Sequence, residues 1–242
     1  MDRHGGAPPH LFLTTAEVLD AVAMDLTTAA ERAVRRRGRC VLALGVSEGC
    51  LLAYRHWARR AAGRRFWAYT LVFAAHDTVG PSEAGALAAL QDGFLSTLPV
   101  QHAGAYGVDR ALAPDAAAAA YERTLRMVLE LRPSEPPLFD RVVLELAPSG
   151  RLGALGANDW ERADDARLAR PVAPSDPAVV LTPRALGPAR CLLVLALGGT
   201  DPRGPAELRE PADAGVAPVL GALARGRVRT ALYATVPPSD AA

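Results

Sequence analysis

One stretch, Arg39 to Tyr54 (RCVLALGVSEGCLLAY), constrains what this chain can fold into more than any other. Cys40 to Leu44 is an unbroken apolar run, which predicts a strand buried on both faces. The run stops at Gly45, crosses Val46-Ser47-Glu48-Gly49, and re-enters a helix-like apolar pattern at Leu51. Strand, glycine-bearing turn and helix is how α/β proteins present backbone N–H groups to an anion at the carboxyl end of a sheet. Gly45, Ser47 and Gly49 are therefore candidate ligand-binding residues. Glycine at such a turn also answers purely backbone demands, so this stretch leaves a structural role and a ligand role both open.

The rest of the chain repeats the alternation. Thr14 or Thr15 can cap a helix running to about Arg37, with Val18, Val22 and Leu26 on its buried face. Arg35, Arg36 and Arg37 close it before Gly38, where cations suit the C-terminal end of the helix dipole. A second helix is expected from Leu51 to about Ala62, and a buried strand from Phe66 to Ala75 with His76 and Asp77 just beyond its end. Ser82 to Leu95 and Ala116 to Leu131 read as helices, and Leu98 to Val108 as loop. Asp140 to Leu146 reads as a third strand, followed by Ala147-Pro148-Ser149-Gly150-Arg151. Gly153 to Pro177 is polar and irregular, a surface excursion. Val179 to Thr182, Cys191 to Leu197 and Val228 to Ala234 are further strands, with short helices at 183–189, 205–209 and 216–224. Such apolar strands alternating with helices predict an α/β fold of three layers: a mostly parallel, Rossmann-like sheet covered on both faces. One domain is expected over residues 11–236, between a loose N-terminal segment (1–10) and a tail (237–242).

Composition serves mainly to exclude. The 27 basic residues are all arginine and face 26 acidic ones, so the chain is nearly neutral. That argues against nucleic acid or an anionic membrane as the main partner. The absence of lysine removes any Schiff base or P-loop lysine. Cys40, Cys50 and Cys191 lie in apolar surroundings without a C-x-x-C pair, so neither a disulfide framework nor a zinc site is expected. His4, His10, His56 and His102 form no metal-ligand spacing. No metal and no cofactor are expected. No stretch reaches the roughly 18 apolar residues of a membrane span, and the N-terminus lacks a charged-then-apolar signal pattern. A soluble cytoplasmic protein is expected.

Several segments together resemble the 6-phosphogluconolactonase family, a branch of the sugar-phosphate isomerase/deaminase superfamily. Leu42-Ala43-Leu44 and Tyr54 sit where that family has its first core strand and the tyrosine after its glycine turn. Ala118 to Leu125 (AAAYERTL) looks like its "aa-x-Y-E-x-x-L" helix, and Leu138 to Leu144 (LFDRVVL) like "FDLVLLG". Val179 to Arg190 (VVLTPRALGPAR) and Ala217-Pro218-Val219-Leu220 follow the later pattern. The resemblance spans Leu11 to Ala234. It implies a modified Rossmann-like sheet, a sugar phosphate as ligand, and a place in the pentose phosphate branch of carbohydrate metabolism.

The motifs that carry the family's chemistry are replaced. The sugar-phosphate turn S-G-G-S-T-P stands here as Gly45-Val46-Ser47-Glu48-Gly49-Cys50. D-E-R after the second strand becomes His76-Asp77-Thr78. G-x-G-x-D-G-H-x-A-S, whose histidine is the family's presumed base, becomes Glu145-Leu146-Ala147-Pro148-Ser149-Gly150-Arg151-Leu152-Gly153-Ala154. The family's phosphate-side arginine falls on Ala178, and its late lysine on or beside Asp201.

Lactone hydrolysis needs a base to activate water, and donors or cations for the phosphate and the developing oxyanion. Arg151 cannot be the base, because guanidinium stays protonated. Glu48 puts a negative charge where a dianion would lie. Three readings follow. In the first the fold is kept and hydrolysis lost, and the chain binds or regulates a partner; the resemblance implies a pentose-phosphate enzyme such as glucose-6-phosphate dehydrogenase or an active paralogue. In the second it remains a lactonase with a rearranged site, His76 acting as base with Asp77 or Glu48 nearby, while Gly45, Ser47, Gly49, Ser149 and Arg151 hold the ligand. In the third the old pocket senses another molecule, uncharged or cationic, which Glu48, Glu145 and Asp77 would suit. The bland alternatives are a loop histidine at 76, a cap at Asp77, and an Arg151 paired with Glu145 or Asp140.

Overall fold

The computed structural model describes residues 10–80, 85–98, 101–161, 166–172, 177–197, 216–226 and 228–235. The first helix shows how local sequence sets an element. Thr14 accepts a hydrogen bond from the Glu17 N–H, and the Glu17 carboxylate reaches back to the Thr14 N–H, closing a capping box at the start of α1 (Thr15–Arg37). At the other end Gly38 takes a left-handed conformation (φ 73°) and its N–H bonds the Val34 carbonyl.

The strands are β1 (His10–Phe12), β2 (Cys40–Leu44), β3 (Thr70–Ala74), β4 (His76–Thr78), β5 (Gly104–Tyr106), β6 (Arg141–Glu145), β7 (Ala169–Val172), β8 (Ala178–Leu181), β9 (Leu192–Ala196) and β10 (Thr230–Thr235). Seven of them form one parallel sheet in the order β1-β10-β9-β6-β2-β3-β5. The other three, β4-β8-β7, form a small antiparallel sheet. The remaining helices are α2 (Glu48–Arg60), α3 (Ala86–Gly93), α4 (Pro114–Leu129), α5 (Ala157–Glu161), α6 (Pro183–Leu186) and α7 (Val216–Arg225). No helix is long and apolar enough to cross a membrane among the described residues.

The period-two alternation of the strands splits the interior into two cores. Cys40, Leu42, Leu44, Val72, Val143, Leu193 and Leu195 face α1 and α2. Val41, Ala43, Phe73, Val142, Leu144, Leu192 and Val194 face α4, α7 and the small sheet. A strand buried on both faces must be apolar at every position, which is why these runs are continuous. The three-layer α/β arrangement expected from the sequence is present.

Four local expectations are corrected. The apolar run from Phe66 is not one strand: Arg65–Tyr69 is a 3-10 helix, and β3 begins at Thr70. Its aromatic side chains pack against Trp57 from a helical turn instead. Leu98 to Val108 contains the edge strand β5, and the irregular excursion contains α5 and β7. Helix α2 starts at Glu48, because Ser47 caps it. The expected Ser82 helix start and the 205–209 helix lie outside the described residues, as do the segments 1–9 and 237–242.

Candidate functional site

From β2 the chain builds to one side through β3 to β5, and then returns to lay β6 on the other side of β2. The point between β2 and β6 is thus where strand order reverses, and open α/β sheets bind ligands beyond the carboxyl ends of the strands at such a point. A pocket of about 300 Å³ lies there, lined by Gly45, Val46, Ser47, Cys50, His76, Glu145, Ala147, Pro148 and Gly153.

Its floor is the β2–α2 turn. Gly45 is buried; its N–H donates to the Val143 carbonyl (2.8 Å), and its carbonyl accepts from the fully buried Tyr54 hydroxyl (3.0 Å). A side chain there would meet the Val143 carbonyl oxygen at 3.1 Å, so glycine lets two strands close up. Ser47 caps α2, its Oγ accepting from the Cys50 N–H at 3.1 Å. Glu48 occupies the first turn and points to solvent. Burial pushes the Cys50 thiol up to about 12, so this cysteine is held as an unreactive apolar side chain.

One wall is the end of β6. The Glu145 carboxylate lies over the start of α2, so close that a Cβ on Gly49 would be 2.7 Å from its Oε1. A carboxylate is favoured at a helix N-terminus, where the backbone carries partial positive charge. The Glu145 carboxylate has no hydrogen bond or ion pair among the described residues, and the residue remains partly exposed in the pocket. After β6 the chain turns tightly through Gly150 (φ 74°) and Gly153 (φ 57°), anchored by the buried Leu152 and Leu155. The Gly153 N–H returns to the Glu145 carbonyl at 2.8 Å.

His76 closes the site. At Ala75 the chain leaves the large sheet, and β4 pairs with β8, His76 opposite Val180. His76 therefore stands on a short strand rather than in a loop. Its Nδ1 is buried without a hydrogen-bond partner. Burial, and secondarily the nearby Arg151 guanidinium, hold its pKa below the ordinary histidine value, so the ring is neutral at pH 7. Because the folded-state pKa is lowered, the associated stability is fully present above the unfolded histidine pKa. It is lost as pH falls through the folded value. The wild-type urea midpoint is expected to drop more between pH 8 and pH 5 than that of His76→Gln; equal drops would show that His76 is not the acid-sensitive group.

Strand alternation turns Asp77 away from His76. Asp77 is buried and does not line the pocket; its Oδ1 accepts from the Ala86 N–H (2.8 Å) and lies 3.8 Å from the Arg110 Nε. It caps α3, so the expected His76–Asp77 pair is not assembled. Ser149 and Arg151 are exposed on the loop after β6, outside the pocket lining. Arg151 Nη2 donates to the Ala154 carbonyl rather than pairing with Glu145 or Asp140. Ala178 sits in β8 opposite Thr78 and Val172, and Asp201 lies outside the described residues. Of the candidates, the structure gathers Gly45, Ser47 and His76 around one cavity, with Gly49 behind it under Glu145. Among the described residues no group of three or more His, Cys, Asp or Glu side chains could hold a metal ion.

Residues 13–228 match the sequence profile of the family described as glucosamine-6-phosphate isomerases/6-phosphogluconolactonase. Among solved structures, the 6-phosphogluconolactonase of Thermotoga maritima is similar over 94% of this chain and 99% of its own, at 20% identity and a TM-score of 0.69. The 6-phosphogluconolactonase of Trypanosoma brucei is similar over 94% of this chain and 96% of its own, at 19% identity and a TM-score of 0.71. A monomeric glucosamine-6-phosphate deaminase is similar over 95% and 97%, at 14% identity and a TM-score of 0.68. At these identities the structures establish a shared fold. No curated protein sequence matches this chain.

Proposed function

Since this chain belongs to the glucosamine-6-phosphate isomerase/6-phosphogluconolactonase family, we propose that it serves carbohydrate metabolism of the pentose phosphate type as a binding or regulatory protein that has given up lactone hydrolysis. The observation that carries this reading is the Glu145 carboxylate lying on the start of α2. Two replacements fit each other there. By the motif comparison Glu145 stands where the family has a glycine, and Gly49 where the family has a threonine. The room left by the missing threonine side chain is the room the glutamate uses. The helix end that would receive a phosphate already holds an anion of the protein's own. A phosphate entering beside it meets a like charge, at a cost of about 1 kcal/mol in water-like surroundings and several times that in a partly dry turn.

The described lining also contains no arginine to offset that charge. Hydrolysis would need a base as well. Arg151 takes the motif position of the family's histidine and cannot accept a proton. One observation favours the second reading, an active lactonase: His76 is a neutral imidazole on the pocket wall with an unpartnered Nδ1, which is what a general base requires.

The deciding experiment is hydrolysis of freshly made 6-phosphogluconolactone, with spontaneous opening subtracted, for the wild type and His76→Ala. The wild type is expected to show no turnover above background. Turnover abolished by His76→Ala would overturn the proposal and make His76 the base. Turnover untouched by it would overturn the proposal and place the chemistry elsewhere.

A further inference from the structure

We propose that the pocket above α2 takes a small organic ammonium compound, its nitrogen seated between the Glu145 carboxylate and the His76 imidazole. This rests on the reading above, that the phosphate seat is lost, and goes beyond it by assigning the ligand's charge. Glu145 is the one charged side chain in the described lining of the 300 Å³ cavity. It has no hydrogen bond or ion pair among the described residues. Glu48, exposed in the first turn of α2 next to Ser47, adds a further negative charge nearby. The guanidinium close enough to influence His76, that of Arg151, is turned to the Ala154 carbonyl and does not reach Glu145.

A second polar residue lines the same space, His76, whose Nδ1 is buried without a partner next to Gly153. Leaving such an atom unpaired costs free energy that a ligand donor can recover. An ammonium group has donors and no acceptor. It can give one hydrogen to the carboxylate and another to a ring nitrogen, with the Ser47 hydroxyl on the pocket floor as a third acceptor. A carboxylate or phosphate ligand would meet the like charge of Glu145. A neutral polyol satisfies the hydrogen bonds but leaves the charge unmatched. The remaining wall, Val46, Ala147, Pro148 and Gly153, is apolar or small and suits the carbon body of a compact molecule.

Three probes that share one ring and differ in charge test this: glucosamine, glucose and glucose 6-phosphate, titrated calorimetrically into the full chain. Glucosamine is expected to bind at least about tenfold more tightly than glucose, the worth of one charge-assisted hydrogen bond. Glu145→Gln is expected to abolish that preference while retaining the wild-type thermal midpoint within a few degrees. His76→Phe provides a second variant, expected to weaken glucosamine with less effect on glucose. Equal binding of glucosamine and glucose, a preference that survives Glu145→Gln, or no binding of any probe would overturn the inference and leave the loss of the phosphate seat standing. Tightest binding by glucose 6-phosphate would overturn both.

Discussion

Replacing Trp57 with alanine is expected to lower the unfolding free energy by about 3–5 kcal/mol, the range for emptying a large aromatic site in a packed core. Trp57 is fully buried on the inner face of α2. Its ring stacks on Phe66 and Phe94, with centroids 5.8 and 5.9 Å away, and meets Trp67 at 4.3 Å. Its indole N–H donates to the Thr27 hydroxyl at 3.0 Å, tying α2 to α1. Alanine would leave a void that three neighbouring rings cannot fill without moving, and would orphan the hydroxyl. A domain whose total stability is on the order of 5–15 kcal/mol loses a large part of it. The measurement is urea unfolding followed by far-ultraviolet circular dichroism. Trp57→Phe, which keeps the stack and loses the hydrogen bond, is expected to lose less than half as much. A loss below 1 kcal/mol for the alanine variant would mean that the aromatic cluster does not hold the two helices.

That cluster also marks where sequence reading runs out. The apolar pattern from Phe66 to Tyr69 is compatible with strand or helix. What decides is the pair opposite, Trp57 from the preceding helix α2 and Phe94 from the end of α3. Helix α1 was legible because its stops are local: Thr14 with Glu17 at one end, Gly38 at the other. The strands β2, β6 and β9 were legible because burial on both faces demands an unbroken apolar run. β5 was not, since three residues paired along an edge need little from their side chains. The site divides the same way. Gly45 and Ser47 announce a turn by residue type, and His76 stood out as a polar residue at a strand end. Asp77 stood out equally but faces away, because neighbours on a strand point to opposite sides. Glu145, the residue on which the proposed function turns, stood out as a motif replacement and as one of three carboxylates suited to a cation, but not as the partner of a helix end. Its meaning depends on Gly49, far off in sequence, and appears only when β6 is laid beside β2.

A similar long-range contact gives Arg37, the last of the three arginines that end α1, a role beyond the helix dipole. Asp140, whose side chain is 4% exposed, lies just before β6. It pairs with Arg37 from the end of α1 and with the Arg190 Nε at 3.2 Å, while its Oδ2 accepts from the Val41 N–H at 3.0 Å. One carboxylate thus joins α1, β2, β6 and the approach to β9. Burial is the largest influence on its pKa and pushes it up, against the Val41 N–H and the arginines, which pull it down. The Coulomb attraction is therefore largely offset by desolvation, as for other buried ion pairs. The arginines keep a third or more of their surface in water, which weakens the pairs further. What cannot be offset is the buried Val41 N–H once its acceptor is gone. Asp140→Ala is accordingly expected to cost on the order of 3 kcal/mol, from an orphaned donor, a cavity and unpaired guanidiniums together. Asp140→Asn keeps an acceptor for Val41 and fills the space, and is expected to cost less than half of that. Denaturant unfolding of both variants checks it. If asparagine costs as much as alanine, the charge itself holds the junction and the desolvation argument fails.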